Sequence, residues 1–446
     1  MDNRVIEAAR RYHDGTKHPG GVLFNRAYQW DPRDRPLLFK VYPAAETIPL
    51  PLDRSPSGMS ALEALGSDLA VHEGSEALRV PDRAALSRIL FFSAGITKEI
   101  TNPALGRTMQ FRAAACTGAL YHIELYLVCG NLPGLDAGVY HYDPQAQALR
   151  RLRRGDYRPV LVEASGREPF VASAPAILVA TDVVWRNAIK YREREYRHAF
   201  WDSGTLLANT LAVAASHRLP AKVVAGFVDD AVVRLLDLDL ERELPLALVP
   251  LGKGAAGDKA LDSVTGITEP LAPLDVEPAP LPEYQSHFPA IRAIHDASSL
   301  TDPDQVAAWR SAPAPNIPPA PTPAAHLVPL QPAHDADLPE RPLEQVIIRR
   351  GSTRQFSREP STFRQVSTAL DRALRPIPAD FLPSGATVSD VYLIVNGVEG
   401  LQAGAYVLHS DRSALELLKA GDFRQEAYHL ALDQDLGGDA SVNCYF

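Results

Sequence analysis

The chain is poor in cysteine, with Cys116, Cys129 and Cys444 the only three in 446 residues. Three thiols cannot build a disulfide framework or a four-ligand zinc site, so they read as reduced. Long apolar runs are also missing. The longest, such as Ala174 to Ala180, fall well short of the roughly 20 residues that a membrane-crossing helix needs. There is no long block of Lys and Arg, and the formal net charge is −9, which leaves no electrostatic footprint for nucleic acid. The opening Met1-Asp2-Asn3-Arg4-Val5 lacks the apolar stretch of a signal peptide, so a cytoplasmic location is expected.

What is present is enough chain, at 46% hydrophobic content, for two domains with substantial cores. A repeat divides it. Gly134-Leu135-Asp136-Ala137-Gly138-Val139-Tyr140, followed by Gly155-Asp156-Tyr157-Arg158, returns as Gly400-Leu401-Gln402-Ala403-Gly404-Ala405-Tyr406, followed by Gly421-Asp422-Phe423-Arg424. Both parts keep one offset (406 − 140 = 424 − 158 = 266), the mark of a duplicated unit. The expected organisation is an N-terminal extension over 1–60, a first repeat over 61–269, a Pro/Ala-rich linker over 270–340 and a second repeat over 341–446. Within the linker, Pro313 to Pro321 holds too much proline for helix or central strand and predicts a semi-rigid spacer, interrupted by a short helix at Asp302 to Arg310.

In the first repeat, helical periodicity covers Ala84 to Gly95, and strands are predicted at Ile123 to Val128, Gly138 to Asp143, Ala176 to Ala180 and Pro245 to Leu251. A long helix is expected from about Phe200 to Ser216, with Asp202 or Ser203 near its start. This order gives an α+β fold class. Adding 266 to Ala176 and Ala180 lands on Val442 and Phe446, so the second repeat is incomplete at its C-terminus, and the expectation is a fragment of a longer chain.

Four segments carry a family resemblance. They are Tyr12-His13-Asp14-Gly15-Thr16-Lys17-His18, Phe92-Ser93-Ala94-Gly95-Ile96-Thr97, the run from Arg112 to Tyr121 with its following strand, and Lys190-Tyr191 with Arg194, Tyr196 and Arg197. In this order and spacing they resemble the SagB-type dehydrogenases, the branch of the FMN-dependent nitroreductase superfamily that oxidises azoline rings in peptides. The resemblance covers most of the chain and implies a nitroreductase-like fold in tandem-repeat form, with FMN as cofactor.

It also implies roles. Arg349-Arg350-Gly351-Ser352-Thr353-Arg354 looks like the superfamily's flavin-phosphate motif, with Arg349, Arg350, Ser352 and Arg354 as donors; arginine's planar fork suits a phosphate. Judged by its residues alone, the same run is also compatible with a solvated basic turn. The first-repeat counterpart, Leu62 to Glu73, has no arginine and carries Asp68 and Glu73, which repel a phosphate, so one working site is expected. The loop Ala115-Cys116-Thr117-Gly118 is similar to the Pro-Ser-type loop that the opposite subunit contributes in the superfamily, making the chain an intrachain pseudo-dimer with Tyr121 and Glu124 close by. As a residue, Cys116 also suits a small buried core position.

Lys190 and Tyr191 are the catalytic candidates by resemblance: Tyr191 as base, Lys190 as the ammonium that favours its phenolate. On their residues alone, with Arg186, Arg192, Arg194 and Arg197 around them, they read instead as a surface pair in a basic, aromatic helix start. Gly252-Lys253-Gly254-Ala255-Ala256-Gly257 formally matches a dinucleotide fingerprint, but Pro-rich chain follows where a crossover helix is needed, so Gly252 and Gly254 are assigned to a closing turn beside the flavin phosphate. Arg150 to Arg154 reads as a solvated strand edge, and His122 and His198 as satisfied surface or core groups without metal-ligand spacing.

The expected function is an FMN-dependent oxidoreductase acting on a heterocycle, such as an azoline, in a modified peptide or carrier-bound intermediate. Other maturation enzymes are conceivable partners, and further dimerisation stays open. The alternatives are a nitro- or quinone reductase using NAD(P)H and a flavin-less peptide-binding partner protein.

Overall fold

The computed structural model describes residues 5–17, 36–66, 79–103, 106–253, 271–279, 287–312, 326–382 and 389–446. Its larger sheet contains β1 (Glu46–Pro49), β4 (Ile123–Cys129), β5 (Gly138–Asp143), β6 (Ala148–Arg154), β7 (Ala176–Val183) and β8 (Glu243–Leu251), in the order β1-β6-β5-β4-β7-β8. β2 (Ile96–Asn102) and β3 (Arg107–Arg112) form a separate hairpin. Every residue of β4, β7 and β8 is buried, because helices cover both faces. The period of two sorts the side chains. Leu125, Leu127, Leu178 and Ala180 face one cluster with the helices Arg83–Ala94 and Glu195–Ser216, whereas Tyr126, Val128, Ile177 and Val179 face another with Leu161, Leu235 and Leu236.

The smaller sheet has β9 (Leu327–Pro329), β11 (Val391–Val395), β13 (Gly404–His409), β14 (Ala414–Ala420) and β15 (Val442–Tyr445), ordered β15-β11-β13-β14-β9; β10 (Ser361–Thr362) and β12 (Val398–Glu399) pair beside it. That order reproduces β7-β4-β5-β6-β1. The offset of 266 holds for β13, β14 and β15, and for the helix Arg424–Leu430 against Arg158–Ala164 (404 − 138, 414 − 148, 442 − 176, 424 − 158). Upstream of the β2–β3 hairpin, the offset is 281 for β9 against β1 (327 − 46) and for Leu343 against Leu62. The second unit is therefore about 15 residues shorter where the first carries this hairpin.

The two units share a core. Leu343 and Ile347, on the helix Leu343–Arg349, join the first unit's cluster. The segment expected as a linker carries the helices Pro289–Ser298 and Pro303–Arg310 as well as β9; the proline-dense stretch 313–321 lies outside the described residues. Arg310 and the backbone N–H groups of Ala225 and Gly226 all donate to Asp380.

Two expectations are corrected. The long helix begins at Glu195, so Asp202 lies two turns inside it, 6% exposed and facing inward rather than capping an end. Arg150 to Arg154 are not an edge, since β6 pairs with both β5 and β1. These arginines are spent on specific partners: Arg150 on Asp143, Arg151 on Glu46 and Asp136, Arg153 on the Leu235 carbonyl, and Arg154 on Glu46. Among the described residues, no helix is long and apolar enough to cross a membrane.

Candidate active site

Between β3 and β4 the chain makes a tight excursion, residues 113–122. Gly118 (φ 64°), Ala119 (φ 53°) and Tyr121 (φ 49°) all adopt left-handed backbone conformations. Two of these are not glycine, and such strain persists only where the surroundings over-determine it. Asp202 supplies the constraint. Its Oδ2 accepts the Thr117 N–H at 2.8 Å and the Cys116 thiol at 3.1 Å, and its Oδ1 accepts the Thr117 hydroxyl at 2.9 Å. The thiol sulfur accepts the Tyr121 N–H at 3.0 Å, and Thr205 holds the Ala115 carbonyl at 2.7 Å.

The loop borders a small, partly open cavity lined by Ala114, Ala115, Cys116, Arg112, Tyr121 and Asp202, among others. Arg112 is buried, stacks on Tyr121, and leaves its Nε without a partner. Burial raises the Tyr121 hydroxyl above its ordinary pKa, against the opposing pull of Arg112 and of the positive charge of Arg350. Arg350 of the second unit is thus within electrostatic reach of a cavity residue of the first.

Behind the loop, His122 is fully buried between carboxylates. Its Nε2 lies 2.8 Å from Asp202 and its Nδ1 2.6 Å from Asp182, an arrangement that uses both nitrogens as donors and so an imidazolium. Burial opposes that charge, but Asp182 and then Asp202 outweigh it, and the His122 pKa rises well above its usual value. Glu195 lies 3.4 Å from the same Nδ1. Burial, reinforced by Asp182, drives its carboxyl towards the neutral form.

Lys190 and Tyr191 end the helix Val184–Tyr191, where Arg192 (φ 51°) turns the chain into the long helix. Lys190 is exposed, with Nζ 5.0 Å from the Tyr191 ring centre, and Tyr191 packs edge-on against His198 at 4.6 Å. The decisive relationship is with the loop: a Cβ placed on Gly118 would sit 3.0 Å from the Tyr191 hydroxyl and 3.4 Å from Lys190 Nζ. Ala115 to Gly118 and Lys190-Tyr191, 72 positions apart (190 − 118), therefore meet.

Arg349, Arg350, Ser352 and Arg354 are exposed, and among the described residues no side chain pairs with these arginines. Gly252 has φ 81°, and a Cβ there would fall 2.2 Å from the Arg79 carbonyl oxygen, so the chain's own backbone requires this glycine. Gly254, Asp68 and Glu73 lie outside the described residues. Glu124 is turned away from solvent and paired with Arg186 at 2.5 Å and His141 at 3.1 Å. His198 bonds Asn187. Arginine forks without an ion-pair partner among the described residues, and an orphaned buried guanidinium nitrogen on Arg112, fit an anionic cofactor.

Linear reading missed Asp182 and Glu195 altogether, and saw Arg112 only as part of a family segment, Asp202 only as a residue near a helix start and His122 only as a satisfied group. Their spacing matches no motif. The one trace is Glu195 and Asp202 seven positions apart on an apolar helix face, where two carboxylates are out of place.

Residues 85–253, which span the loop, cavity and Lys190-Tyr191, match the family model described as Nitroreductase family. Over 168 residues, 38% of this chain and 79% of the relative, the chain is 28% identical to a Methanocaldococcus jannaschii protein named as a nitroreductase. It is 32% identical over 134 residues to the Escherichia coli microcin B17-processing protein McbC, matching 29% of this chain and about half (49%) of McbC. A solved Anabaena variabilis structure described as a nitroreductase superposes on 98% of this chain and 83% of its own, with a TM-score of 0.69 and 25% identity.

Proposed function

We propose that the chain is an FMN-dependent dehydrogenase that oxidises a heterocycle, such as an azoline, in a modified peptide or carrier-bound intermediate. The observation that carries this is the meeting of Tyr191 and Lys190 with Gly118 at the mouth of the loop. Similarity to a microcin-processing protein supports a peptide substrate and partnership with other maturation enzymes. Arg349, Arg350, Arg354 and Ser352 would hold the phosphate, and Ala115 to Gly118 with Arg112 would border the ring system. Bound FMN supplies a two-electron acceptor for the substrate's hydride, with oxygen as the final oxidant. Tyr191 takes the proton from the ring carbon, with the Lys190 ammonium 5.0 Å from its ring centre.

The test is the absorbance spectrum of the purified chain, with the released chromophore quantified. About one FMN per chain is expected, lost in Arg349→Ala/Arg354→Ala and kept in Tyr191→Phe, whose turnover falls by roughly 10²–10⁴ as for loss of a general base. No flavin after reconstitution with excess FMN would sink this function and favour the peptide-binding partner. Unchanged azoline turnover in Tyr191→Phe, or nitro- and quinone reduction alone, would favour the reductase.

A further inference from the structure

Asp202 is in an unusual position for a carboxylate inside a long helix. It meets three donors of one loop on one side and the His122 imidazole on the other. His122, the residue before β4, is in turn anchored by Asp182 of the neighbouring strand β7: Ile123 faces Asp182 in the β4–β7 register. Thus a continuous line of hydrogen bonds runs from the central sheet to the cavity loop. Of the loop's three left-handed residues, Gly118 and Ala119 are exposed, and Tyr121 is held through its N–H by the Cys116 sulfur and through its carbonyl by Arg186, so the Asp202 contacts act at the loop's first turn.

We propose that Asp202 and His122 are positioning residues which hold residues 115–118 in the shape that borders the cavity; their link to flavin rests on the function proposed above. Asp202 is the common acceptor, and His122 supplies the positive charge that keeps a buried carboxylate from being an uncompensated anion. Cys116, His122 and Asp202 could also be viewed as metal ligands, their ligand atoms all lying within 4.8 Å of one another. However, the thiol and imidazole both sit at hydrogen-bond distance from the same Asp202 oxygen (3.1 and 2.8 Å), which is the geometry of protons shared with a carboxylate. Neither residue reaches Lys190 or Tyr191 among the described hydrogen bonds, so their effect passes through the loop.

The experiment uses the full chain carrying Cys444→Ser, so that Cys116 is the one accessible thiol; Cys129 is fully buried. The alkylation rate of Cys116 by iodoacetamide and the FMN dissociation constant are measured for Asp202→Ala, Asp202→Asn and His122→Gln, together with melting temperatures. Asp202→Ala is expected to raise the alkylation rate at least tenfold and weaken FMN binding by a similar factor. Asp202→Asn, which keeps an acceptor for the Thr117 N–H, should recover most of both, and His122→Gln should fall between. Alkylation unchanged in Asp202→Ala overturns the positioning role. So does a fall in melting temperature that Asp202→Asn fails to rescue while the loop readouts stay at wild-type values. If the parent chain binds no FMN at all, the flavin function falls, and the thiol rate still decides the positioning role.

Discussion

Arg88 in the first unit and Glu344 in the second form a buried ion pair, with Nη2 2.6 Å from Oε1 and Glu344 wholly inaccessible to solvent. The partners are not equivalent. Arg88 also bonds the Asp53 and Ser55 carbonyls and the Asp53 carboxylate, whereas the other described donor to Glu344 is the Ser57 N–H at 3.2 Å.

Removing Arg88 therefore leaves a buried carboxylate without its cation, and removing Glu344 leaves a guanidinium that keeps partners. Breaking a buried pair costs about 3–5 kcal/mol. Arg88→Ala should fall at the upper end and Glu344→Ala at the lower, read as the shift of the urea midpoint. The double change Arg88→Met/Glu344→Leu should cost less than either single change. Equal losses from the two single variants would contradict the asymmetry.

Two glycines should respond with opposite signs. At Gly252, Ala meets the Arg79 carbonyl at 2.2 Å with φ at 81°, so Gly252→Ala should destabilise by at least about 2 kcal/mol from backbone strain and the forced shift of Arg79. Gly204 sits exposed inside the long helix with open space at its Cβ, and Gly204→Ala should stabilise by up to about 1 kcal/mol. Thermal melts of both variants check the pair.

Asp229 makes stability fall as pH rises. Burial, aided by Asp230 and Asp296, pushes its pKa to about 7 from 3.8. Between these values the folded chain binds a proton that the unfolded chain has released, so the proton's stabilisation is lost on going from about pH 4 to pH 7. Neighbouring His295, 3.8 Å away, is held by burial at a pKa of about 4; the two face each other as neutral groups over most of this range. Asp229→Asn should flatten the decline and exceed wild type at pH 8 by a few kcal/mol, at about 1.36 kcal/mol per unit. Parallel stability–pH curves for the two proteins would refute it.

The elements were legible where local chemistry decides them. β5 runs from Gly138 to Asp143 as predicted, and the periodicity over Ala84 to Gly95 became the helix Arg83–Ala94. The start of the long helix was not legible. Tyr196 and His198 are buried by packing, Tyr196 against His295 and Ser298 of the segment expected as linker, and that burial extends the helix back to Glu195 without a cap. Arg150 to Arg154 misled for a similar reason: a run of arginines resembles a solvated edge until Glu46, Asp136 and Asp143 come from other parts of the chain to meet it.

The sequence by itself determined the duplicated pattern, because periodicity and turn residues act over a few neighbours and survive as a constant offset of 266. It also singled out Lys190, Tyr191 and the loop at Cys116 one by one. Only the tertiary structure decided that Gly118 lies against Tyr191, and that Asp202, His122 and Asp182 form one line. Those contacts depend on the β4–β7 register and on the rotation of the long helix, both set by burial of many side chains at once. Residues 60 and 80 positions from His122 (182 − 122, 202 − 122) carry no local signal that they will touch it.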